Sequence, residues 1–404
     1  MRDVIIVGAG PAGSALAYFL AAQGIDVLLL DKSDFPRDKT CGDGLSPRAV
    51  RVLRAMGLLD ALLAAGFRIN RALIFAPNGR GLSASVPPYG DLPEYSLVLP
   101  RYQLDNLIRE RAVAAGADFR AHVAVTDVLR APNGSGEIVG VRATTSNGPV
   151  ELRARATVLA TGASVAVLER AQLLQASPAF GRAARTYYEG MRGLSDAIEF
   201  HYDSVPLPGY GWVFPISPTA ANVGAGYFVG PGQKPMRRSP RQAFDEFIAN
   251  PYVARMLDGA HLTAPIKGYP LRIDFPTARV AFPGLLLVGE ACGLVNPLTG
   301  EGIDYGLESA EVAAEVLAHA LRAGEAPERT MQKYSQALRG RFLRAFVHII
   351  RLREVYLRPW VMNRFVAAAD RNEELQRLLI HIALGNIDPA KGLAPKTLLQ
   401  VALG

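Results

Sequence analysis

Three glycines near the start of the chain, Gly8, Gly10 and Gly13, have the spacing of a turn that binds phosphate groups. They follow an apolar run of four β-branched residues at 4–7 and precede an apolar helix, which is the order of a βαβ unit. In such a unit the first glycine makes the tight turn, the second lets a pyrophosphate approach, and the third lets the helix pack on the strand. The helix N-terminus adds free N–H groups that bind the anion. The spacing therefore predicts a dinucleotide-binding site.

An acidic residue strengthens this prediction. The next apolar run, residues 27–30, ends on Asp31, about 20 residues after the glycines, where a carboxylate binds the adenosine ribose hydroxyls. Its charge also disfavours a ribose that carries a 2′-phosphate. A glycine turn alone would also fit other doubly wound proteins, so the inference depends on the strand, the helix and the acid together. These residues do not distinguish FAD from NAD.

A second strand, loop and helix much later in the chain bear on that choice. A buried strand ends at Gly289 and Glu290, and a loop containing Gly300 and Gly302 opens a long helix of small residues. An NAD enzyme has no evident need of this unit. A flavin uses it, because its ribityl chain binds a carboxylate and its reduced ring is stabilised by a positive helix N-terminus. The two units together predict FAD.

The composition fits a globular enzyme of 404 residues, half of them hydrophobic and a fifth charged. No apolar run reaches the roughly 18 residues of a membrane span, and no cleavage site follows the first apolar stretch, so we expect a cytoplasmic protein. The two cysteines, Cys41 and Cys292, predict neither a metal site nor a disulfide framework. The net charge of +7 fits several anionic partners. Scattered arginines and the lack of a nucleic-acid motif argue against nucleic acid.

The pattern predicts an α/β protein with a Rossmann-like FAD-binding domain and an inserted antiparallel-sheet domain of α+β type that binds substrate. We expect the FAD-binding domain to be discontinuous, the substrate-binding domain to hold most aromatic residues, and the C-terminal region to be helical. The predicted boundaries are 1–72, 101–164 and 276–325 for the first, 73–100 and 165–275 for the second, and 326–404 for the third.

Within these domains, local patterns give three smaller predictions and leave the role of one region open. Alternating residues around turn signals predict a β-hairpin over 72–100 and a β-meander over 117–160. A helix is expected near 240–257. Beyond residue 326, arginines interleave with apolar residues, and two roles remain open for this helical region. It is either a cap that packs on the core or a surface that meets a bilayer or an apolar substrate.

Three aromatic residues, Tyr210, Trp212 and Phe214, alternate along one predicted strand and therefore share a face. Three aromatics on one face more often belong to a core than to a pocket. Flanking prolines and intervening glycines also fit the approach of a flat ligand. The pattern alone does not decide between the two.

These motifs together resemble the geranylgeranyl reductase family of FAD-dependent prenyl reductases, which has a p-hydroxybenzoate-hydroxylase-like flavoprotein fold. The similarity covers about residues 1–325. Besides the first glycine turn, it is carried by the Lys-Thr-Cys-Gly-Asp-Gly loop at 39–44, the signature Tyr210-x-Trp212-x-Phe214-Pro215, and the loop at 296–303. The cysteine loop and the later Asn-Pro-Leu-Thr-Gly-Glu-Gly-Ile run are most similar to bacterial members that reduce the isoprenoid tail of menaquinone.

The resemblance implies reduction of isolated C=C bonds in a polyprenyl chain. It implies that Arg101 contacts the flavin, that Cys41 lies on a loop beside the isoalloxazine, and that the aromatic signature lines a prenyl channel. Two departures are Glu290, where many relatives have Asp, and the Cys-Gly-Asp-Gly loop, where others have Cys-Gly-Gly. The predicted FAD-binding residues are Gly8, Gly10, Pro11, Ala12, Gly13, Asp31, Lys32, Cys41, Gly42, Arg101, Gly162, Gly289, Glu290, Gly300, Gly302 and Ile303.

The chemistry of such a reduction fixes an order of events. An isolated trisubstituted alkene is not an electrophile, and adding hydride first would leave an unstabilised carbanion. Protonation first gives a tertiary cation that takes hydride from reduced flavin N5, so the site needs a proton donor and a channel that excludes water. Cys41 is the first candidate donor, with Asp304 and Tyr305 behind it. Cys41 could equally act only by gating the flavin.

Two other classes of protein remain open. A flavin monooxygenase of the same fold, a hydroxylase or epoxidase of an aromatic or quinone substrate, would need NAD(P)H and oxygen. A lipid or flavin carrier would hold FAD that no prenyl substrate reoxidises. A flavin halogenase is disfavoured, because its Trp-x-Trp-x-Ile-Pro signature is not present.

The expected partners are a polyprenyl lipid or quinone substrate and an external electron donor, either ferredoxin or NAD(P)H. We expect no nucleic acid. Peripheral contact with the inner face of the cell membrane is the one attachment that the sequence leaves open.

Overall fold

The computed structural model describes residues 1–174, 178–229 and 238–403. The strands are β1 Arg2–Val7, β2 Val27–Leu30, β3 Gly44–Leu45, β4 Phe67–Ile69, β5 Arg71–Phe75, β6 Gly81–Ser85, β7 Ser96–Val98, β8 Asp118–Arg120, β9 Ala124–Arg130, β10 Ile138–Thr145, β11 Gly148–Leu159, β12 Phe180–Glu189, β13 Ala197–His201, β14 Gly209–Pro215, β15 Ala220–Phe228, β16 His261–Leu262, β17 Lys267–Arg272, β18 Ala281–Phe282 and β19 Leu285–Leu287.

The helices alternate with the strands in the first half of the chain and dominate its end. They are α1 Pro11–Ala21, α2 Pro47–Ala55, α3 Leu59–Ala65, α4 Arg101–Ala114, α5 Ala166–Arg170, α6 Pro240–Ile248, α7 Pro251–Met256, α8 Ile303–Ala323, α9 Pro327–Tyr356, α10 Pro359–Arg371, α11 Glu373–Ala383 and α12 Pro395–Leu403. Two short 3₁₀ helices lie at Gly289–Cys292 and Pro389–Leu393.

The first sheet has the order β18-β19-β11-β1-β2-β8. β1 pairs in parallel with both β2 and β11, and residues 4–7 of β1 are buried because helices cover the sheet. The predicted βαβ unit is confirmed. The predicted meander is confirmed for β9, β10 and β11, which pair antiparallel. It is wrong for β8, which is instead the parallel neighbour of β2.

The second sheet has the order β16-β12-β15-β14-β13-β5-β6, with β17 also pairing β12. The helix expected near 240–257 is two helices, because Asn250 caps a new helix whose first residue is Pro251. One face of the sheet packs on these helices through Phe244 and Phe247. The other face carries the aromatic residues of β14. β14 and β15 are therefore buried on both sides.

The expected hairpin is present as β5 and β6, which belong to the second sheet. β7, which follows within the same expected segment, instead joins a separate three-stranded sheet with β3 and β4. The α/β class with an inserted, largely antiparallel sheet is confirmed. The domain boundaries stay a prediction.

The C-terminal region is helical from α9 to α12, as expected. α9 packs along α8, and α10 and α11 lie against β6 of the second sheet. These helices therefore connect the two sheets. No helix in the described ranges is both long and apolar enough to cross a membrane.

Candidate active site

A cavity of about 780 Å³ runs between the two sheets and the C-terminal helices. One end is formed by turns that follow strands of the first sheet, and the face of β14 lies in the middle. The other end is formed by α9, α10 and α11. We call these parts the turn end, the aromatic strand and the helical end.

The first glycine turn forms the wall of the turn end. Gly8 has a φ of +105°, and a Cβ there would overlap the carbonyl oxygen of Ala160. A Cβ on Gly13 would overlap the carbonyl oxygen of Gly8, so both glycines are needed for the turn itself. A Cβ on Gly10 would meet nothing closer than arginine nitrogens at 3.9 Å. Gly10 is therefore the position that leaves the backbone open to a ligand.

α1 begins directly after this turn with Pro11 and Ala12, both in the cavity wall. No side chain caps its N-terminus. The first N–H groups of a helix have no partner within the helix, so this end can bind an anionic group.

Asp31 is nearly buried at the end of β2, and Lys32 follows it in the cavity wall. The Asp31 carboxylate accepts hydrogen bonds from the N–H groups of Ala9, at 2.8 Å, and Ser33, at 2.9 Å. It therefore already fixes the glycine turn. Its predicted bond to ribose hydroxyls stays a prediction.

Arg101, at the start of α4, is buried close to Gly10. Its Nε and Nη2 donate to the two carboxylate oxygens of Asp105, at 2.6 and 2.9 Å. This pairing fixes a cation at the junction of the turn end and the cysteine loop, where Arg101 also contacts Cys41.

Cys41 lies in the cavity wall beside Gly42 and the aromatic strand. Burial, opposed by the charge of Arg101, raises the pKa of the Cys41 thiol. A Cβ on Gly42 would lie 3.1 Å from the Phe214 ring, so the loop approaches the ring closely.

Asp43 ties this loop to the second sheet. Its Oδ2 accepts hydrogen bonds from the Tyr187 hydroxyl at 2.6 Å and from Asn222 Nδ2 at 2.8 Å. Asn222 Nδ2 also donates to the Cys41 carbonyl at 2.7 Å, and its Oδ1 accepts from Trp212 Nε1 at 2.9 Å. Burial raises the pKa of Asp43 to about 6. One carboxyl thus links the cysteine loop to the aromatic strand.

The three aromatic residues of β14 do share a face and line the cavity. Tyr210 Oη donates to the Thr299 carbonyl at 2.5 Å, so the strand is attached to the loop that precedes α8. A Cβ on Gly224 of β15 would overlap the Trp212 ring. The small residue opposite the indole lets the ring lie flat against the sheet.

The second strand and loop complete the turn end. Glu290 lies in the cavity wall, and its Oε2 is 3.4 Å from Lys39 Nζ. A Cβ on Gly162 would also lie 3.4 Å from Glu290 Oε2. The predicted residues Gly289, Gly300, Gly302 and Ile303 also line the cavity. Of the predicted cofactor residues, all but Gly13 therefore meet around one cavity, although they are widely separated in sequence. Gly13 lies behind the turn, against the Gly8 carbonyl.

Asp304 and Tyr305 are not among the residues that line this cavity within the described ranges. Asp304 lies 3.3 Å from Arg48 Nη1 and accepts from Ser46 at 3.3 Å. The Tyr305 ring is covered by the Arg48 guanidinium and by Phe346 of α9. Their positions do not support the predicted catalytic roles, which stay predictions.

Glu301 is a cavity residue that the sequence analysis missed. It precedes α8, and its Oε1 accepts from the Ile303 N–H at 3.1 Å and the Asp304 N–H at 3.4 Å. Burial, together with the nearby Asp304 charge, raises the pKa of Glu301 to about 8. An acid between two glycines, directly before a helix of small residues, was the available signal.

The helical end was also missed, because the role of the C-terminal region was left open. Apolar side chains dominate its lining, in which Gln376 of α11 is a polar residue. The other lining residues are Leu352, Tyr356 and Leu357 at the end of α9, Met362, Phe365 and Ala369 of α10, and Leu379, Ile380, Ile382, Ala383 and Leu384 in and after α11. An apolar helical face looks the same in sequence whether it packs on a core or lines a channel.

The turn end fits FAD. An uncapped helix N-terminus stands beside an accessible Gly10, and Glu290 and the start of α8 lie farther along the same wall. The described part of the chain contains no group of acidic, cysteine or histidine residues that could hold a metal ion. Both cysteines are free.

Comparisons with known proteins agree with this geometry. Residues 1–347 match the family described as FAD binding domain. The menaquinone reductase of Mycolicibacterium smegmatis is 34% identical over 325 residues, which cover 78% of this chain and 76% of that protein. Digeranylgeranylglycerophospholipid reductase 2 of Methanopyrus kandleri is 30% identical over 386 residues, covering 93% and 92%.

Solved structures show the same fold. A geranylgeranyl bacteriochlorophyll reductase-like protein from Thermoplasma acidophilum is 25% identical with a TM-score of 0.80, covering 92% of each chain. A flavin-dependent brominase is 20% identical with a TM-score of 0.79, covering 100% of this chain and 97% of that one. The second likeness concerns the fold alone.

Proposed function

This chain belongs to the FAD binding domain family and is an FAD-dependent oxidoreductase, and from that premise we propose that it reduces isolated C=C bonds in a polyprenyl chain. The observation that carries the proposal is the shape of the cavity, whose FAD-binding end continues past the aromatic strand into an apolar helical end. With FAD at the turn end, a substrate with a long apolar tail would lie beside the aromatic strand and fill the helical end. The reductases to which the chain is similar are named for a menaquinone and a geranylgeranyl lipid.

In this proposal each part of the cavity has one task. When bound, FAD supplies hydride from N5 of its reduced form. Gly10 and the N-terminus of α1 would bind its pyrophosphate, Glu290 would bind the ribityl chain, and Arg101 would contact the ring. Tyr210, Trp212 and Phe214 hold the alkene against the flavin and exclude water. The helical end takes the rest of the prenyl chain, where burial of each CH₂ contributes about 0.8 kcal/mol.

The Cys41 loop lies where it would touch both the flavin and the alkene. A thiol whose pKa is raised keeps its proton, so Cys41 can donate a hydrogen bond at neutral pH. The two predicted roles of Cys41, as a proton donor or as a residue that gates the flavin, stay predictions. Ferredoxin or NAD(P)H would return electrons to the flavin, and anaerobic reduction with each donor distinguishes them.

We propose further that the outer face of α10 and α12 meets an anionic bilayer. Trp360, Leu399 and Leu403 are 63%, 60% and 77% exposed, and exposed basic side chains, Arg358 and Lys396, belong to the same two segments. Arg364 of α10 donates to the Ala402 carbonyl, which holds the helices together. Exposed Trp and Leu beside basic residues are typical of peripheral membrane helices. The opposite face of α10 lines the helical end, so the lipid would have a short path to the cavity.

The test of the proposed function is the product mass. Enzyme reduced in the absence of oxygen is mixed with menaquinone and, separately, with geranylgeranyl lipids, and the products are weighed by mass spectrometry. A gain of two hydrogens per alkene in one lipid class supports the proposal and identifies that class. A gain of oxygen that occurs only in air with NAD(P)H would instead make the protein a monooxygenase.

A further inference from the structure

Three acidic residues at the start of α8 differ in whether a cation neutralises them. Glu308 accepts from Arg48 Nε at 2.9 Å and pairs with Arg341 at 2.7 Å, and Asp304 lies 3.3 Å from Arg48. Glu301 forms no ion pair with any residue in the described ranges, although burial disfavours its charge as it does theirs. Ionising a carboxyl that is largely withdrawn from water and has no cation partner is costly, so the neutral acid is favoured for Glu301 more than for the other two residues.

Glu301 also differs from the other two in what it faces. It is partly exposed, and the space that it reaches is the cavity, whereas Asp304 and Glu308 are buried between helices. The same loop is attached to the aromatic strand by the hydrogen bond from Tyr210 to Thr299. Two backbone N–H groups hold its Oε1, which leaves the second oxygen to carry a proton.

We propose that Glu301 is the catalytic acid that protonates the alkene, an inference that rests on the proposed prenyl reduction. The geometry that supports it is a carboxyl that has no cation partner among the described residues and that lies in the cavity wall, on the loop attached to the aromatic strand through Tyr210 and Thr299.

The ionisation of Glu301 agrees with this role. The groups that face it are Asp304 on α8, Arg48 on α2 and Tyr210 on β14. Burial and Asp304 raise its pKa, while Arg48 and the two N–H groups oppose that rise, and the result is about 8. A donor with this pKa is protonated at neutral pH and still releases its proton more readily than a buried thiol.

The step balances as follows. The O–H bond of Glu301 breaks, and the π electron pair of the alkene forms a C–H bond at the less substituted carbon. The tertiary cation then accepts a hydride, with both electrons, from reduced FAD. The Glu301 carboxylate regains a proton from water, so the alkene gains two hydrogens and FAD is oxidised.

The test compares Glu301→Gln with Glu315→Gln, a change at an exposed position of α8. The amide introduced by Glu301→Gln keeps an acceptor for the two N–H groups but cannot act as an acid. We expect anaerobic reoxidation of the reduced enzyme by prenyl substrate to slow at least about 100-fold in the first variant. The FAD affinity of Glu301→Gln and its reduction by dithionite should match wild type. The Glu315→Gln variant should match wild type in all three measurements. Equal rates in both variants, or a parallel loss of FAD, would overturn the proposal.

A second readout does not depend on turnover. In the oxidised holoenzyme, infrared difference spectra should show a protonated carboxyl that is lost as pH rises through about 8, and Glu301→Gln should lack this band. The wild-type rate should fall over the same pH range because the acid form is lost. Titration of the carboxyl near 4.5 would overturn the proposal. If wild-type enzyme reduces no prenyl lipid, the proposed function fails. This failure is distinguishable from failure of the Glu301 proposal, because the carboxyl band can still titrate near pH 8 in that case.

Discussion

The turn end and the helical end of the cavity differ in what they offer a ligand. The turn end offers backbone groups and a few fixed charges, and Gly8 and Gly13 have no space for a side chain. The helical end offers mainly apolar side chains, such as Leu379 and Phe365. Gly8 and Gly13 therefore tolerate no larger residue, whereas the helical end is defined by volume and polarity. The difference predicts that changes at the first affect cofactor and fold, and changes at the second affect the substrate.

The largest expected effect is that of Gly13→Ala. The added Cβ overlaps the Gly8 carbonyl oxygen, so strand and helix must separate, and we expect a loss of about 4 kcal/mol or more in the free energy of unfolding. Gly10→Ala is the matched control, because its Cβ meets nothing closer than 3.9 Å. It should fold normally and bind FAD at least about tenfold more weakly, about 1.4 kcal/mol. Denaturant unfolding and FAD titration measure both, and equal stability of the two variants would contradict the account.

Asp43→Asn tests the link between the cysteine loop and the aromatic strand. Because burial raises the pKa of Asp43 from 3.8 to about 6, the folded state binds its proton more tightly, and stability is lost as pH rises through that interval. The amide keeps an acceptor for Tyr187 and Asn222 without the charge. At pH 8 the variant should be more stable than wild type by up to about 3 kcal/mol, and near pH 4 the two should be equal.

Unfolding in denaturant at both pH values measures this difference. Tyr187→Phe is the control, since it removes one hydrogen bond and leaves the charge buried. A wild type that is more stable than Asp43→Asn at pH 8 would mean that Arg185 and Arg101 fully compensate the carboxylate.

Leu379→Gln tests the helical end. An amide without a partner in an apolar channel costs about 1–3 kcal/mol, so the KM of a long prenyl substrate should rise about tenfold. A short analogue that does not reach α11 should be unaffected, as should the reduction of FAD. Leu63→Gln, at a position that is 44% exposed, is the control. A rise in KM that is the same for short and long substrates would contradict the assignment of the helical end to the lipid tail.

The smallest expected effect is that of Trp360→Ser on the outer face of α10. Losing partial burial of the indole in the bilayer should cost about 1 kcal/mol, or about fivefold in affinity for vesicles that contain anionic lipid. Cosedimentation measures this, and activity on detergent-dispersed substrate should not change. Equal binding of wild type and variant would remove this face from the proposed contact.

The same contrast explains what could be predicted from the sequence. Gly8, Gly10, Gly13 and Asp31 were predictable because a βαβ turn permits few residues at fixed spacing. That Gly8, Gly10 and Asp31 share a site with Gly300 and Gly302 followed from the second strand, loop and helix, which a flavin uses and an NAD enzyme does not. The helical end was not predictable, because an apolar residue of α11 serves a core and a channel equally well.

The proton donor shows a second limit. Asp304 and Glu301 are acids three positions apart, and in sequence nothing separates them. Arg48, far away in the chain, pairs with Asp304 and not with Glu301. Whether each acid is charged depends on its contact with Arg48. The difference between Asp304 and Glu301 could therefore be recognised only once the fold was known. The wrong prediction for β8 has a similar cause. Its alternation of apolar and polar residues fits a strand of a meander and a parallel edge strand equally well.

The most direct test of the central claim is whether a prenyl lipid oxidises the reduced flavin in the absence of oxygen. Enzyme reduced with dithionite is mixed in a stopped-flow instrument with excess polyprenyl substrate, and the flavin absorbance is followed. We expect full return of the oxidised spectrum in one exponential phase, at a rate that depends on substrate concentration. A flavin that stays reduced with every prenyl lipid and is oxidised only when oxygen enters would contradict it.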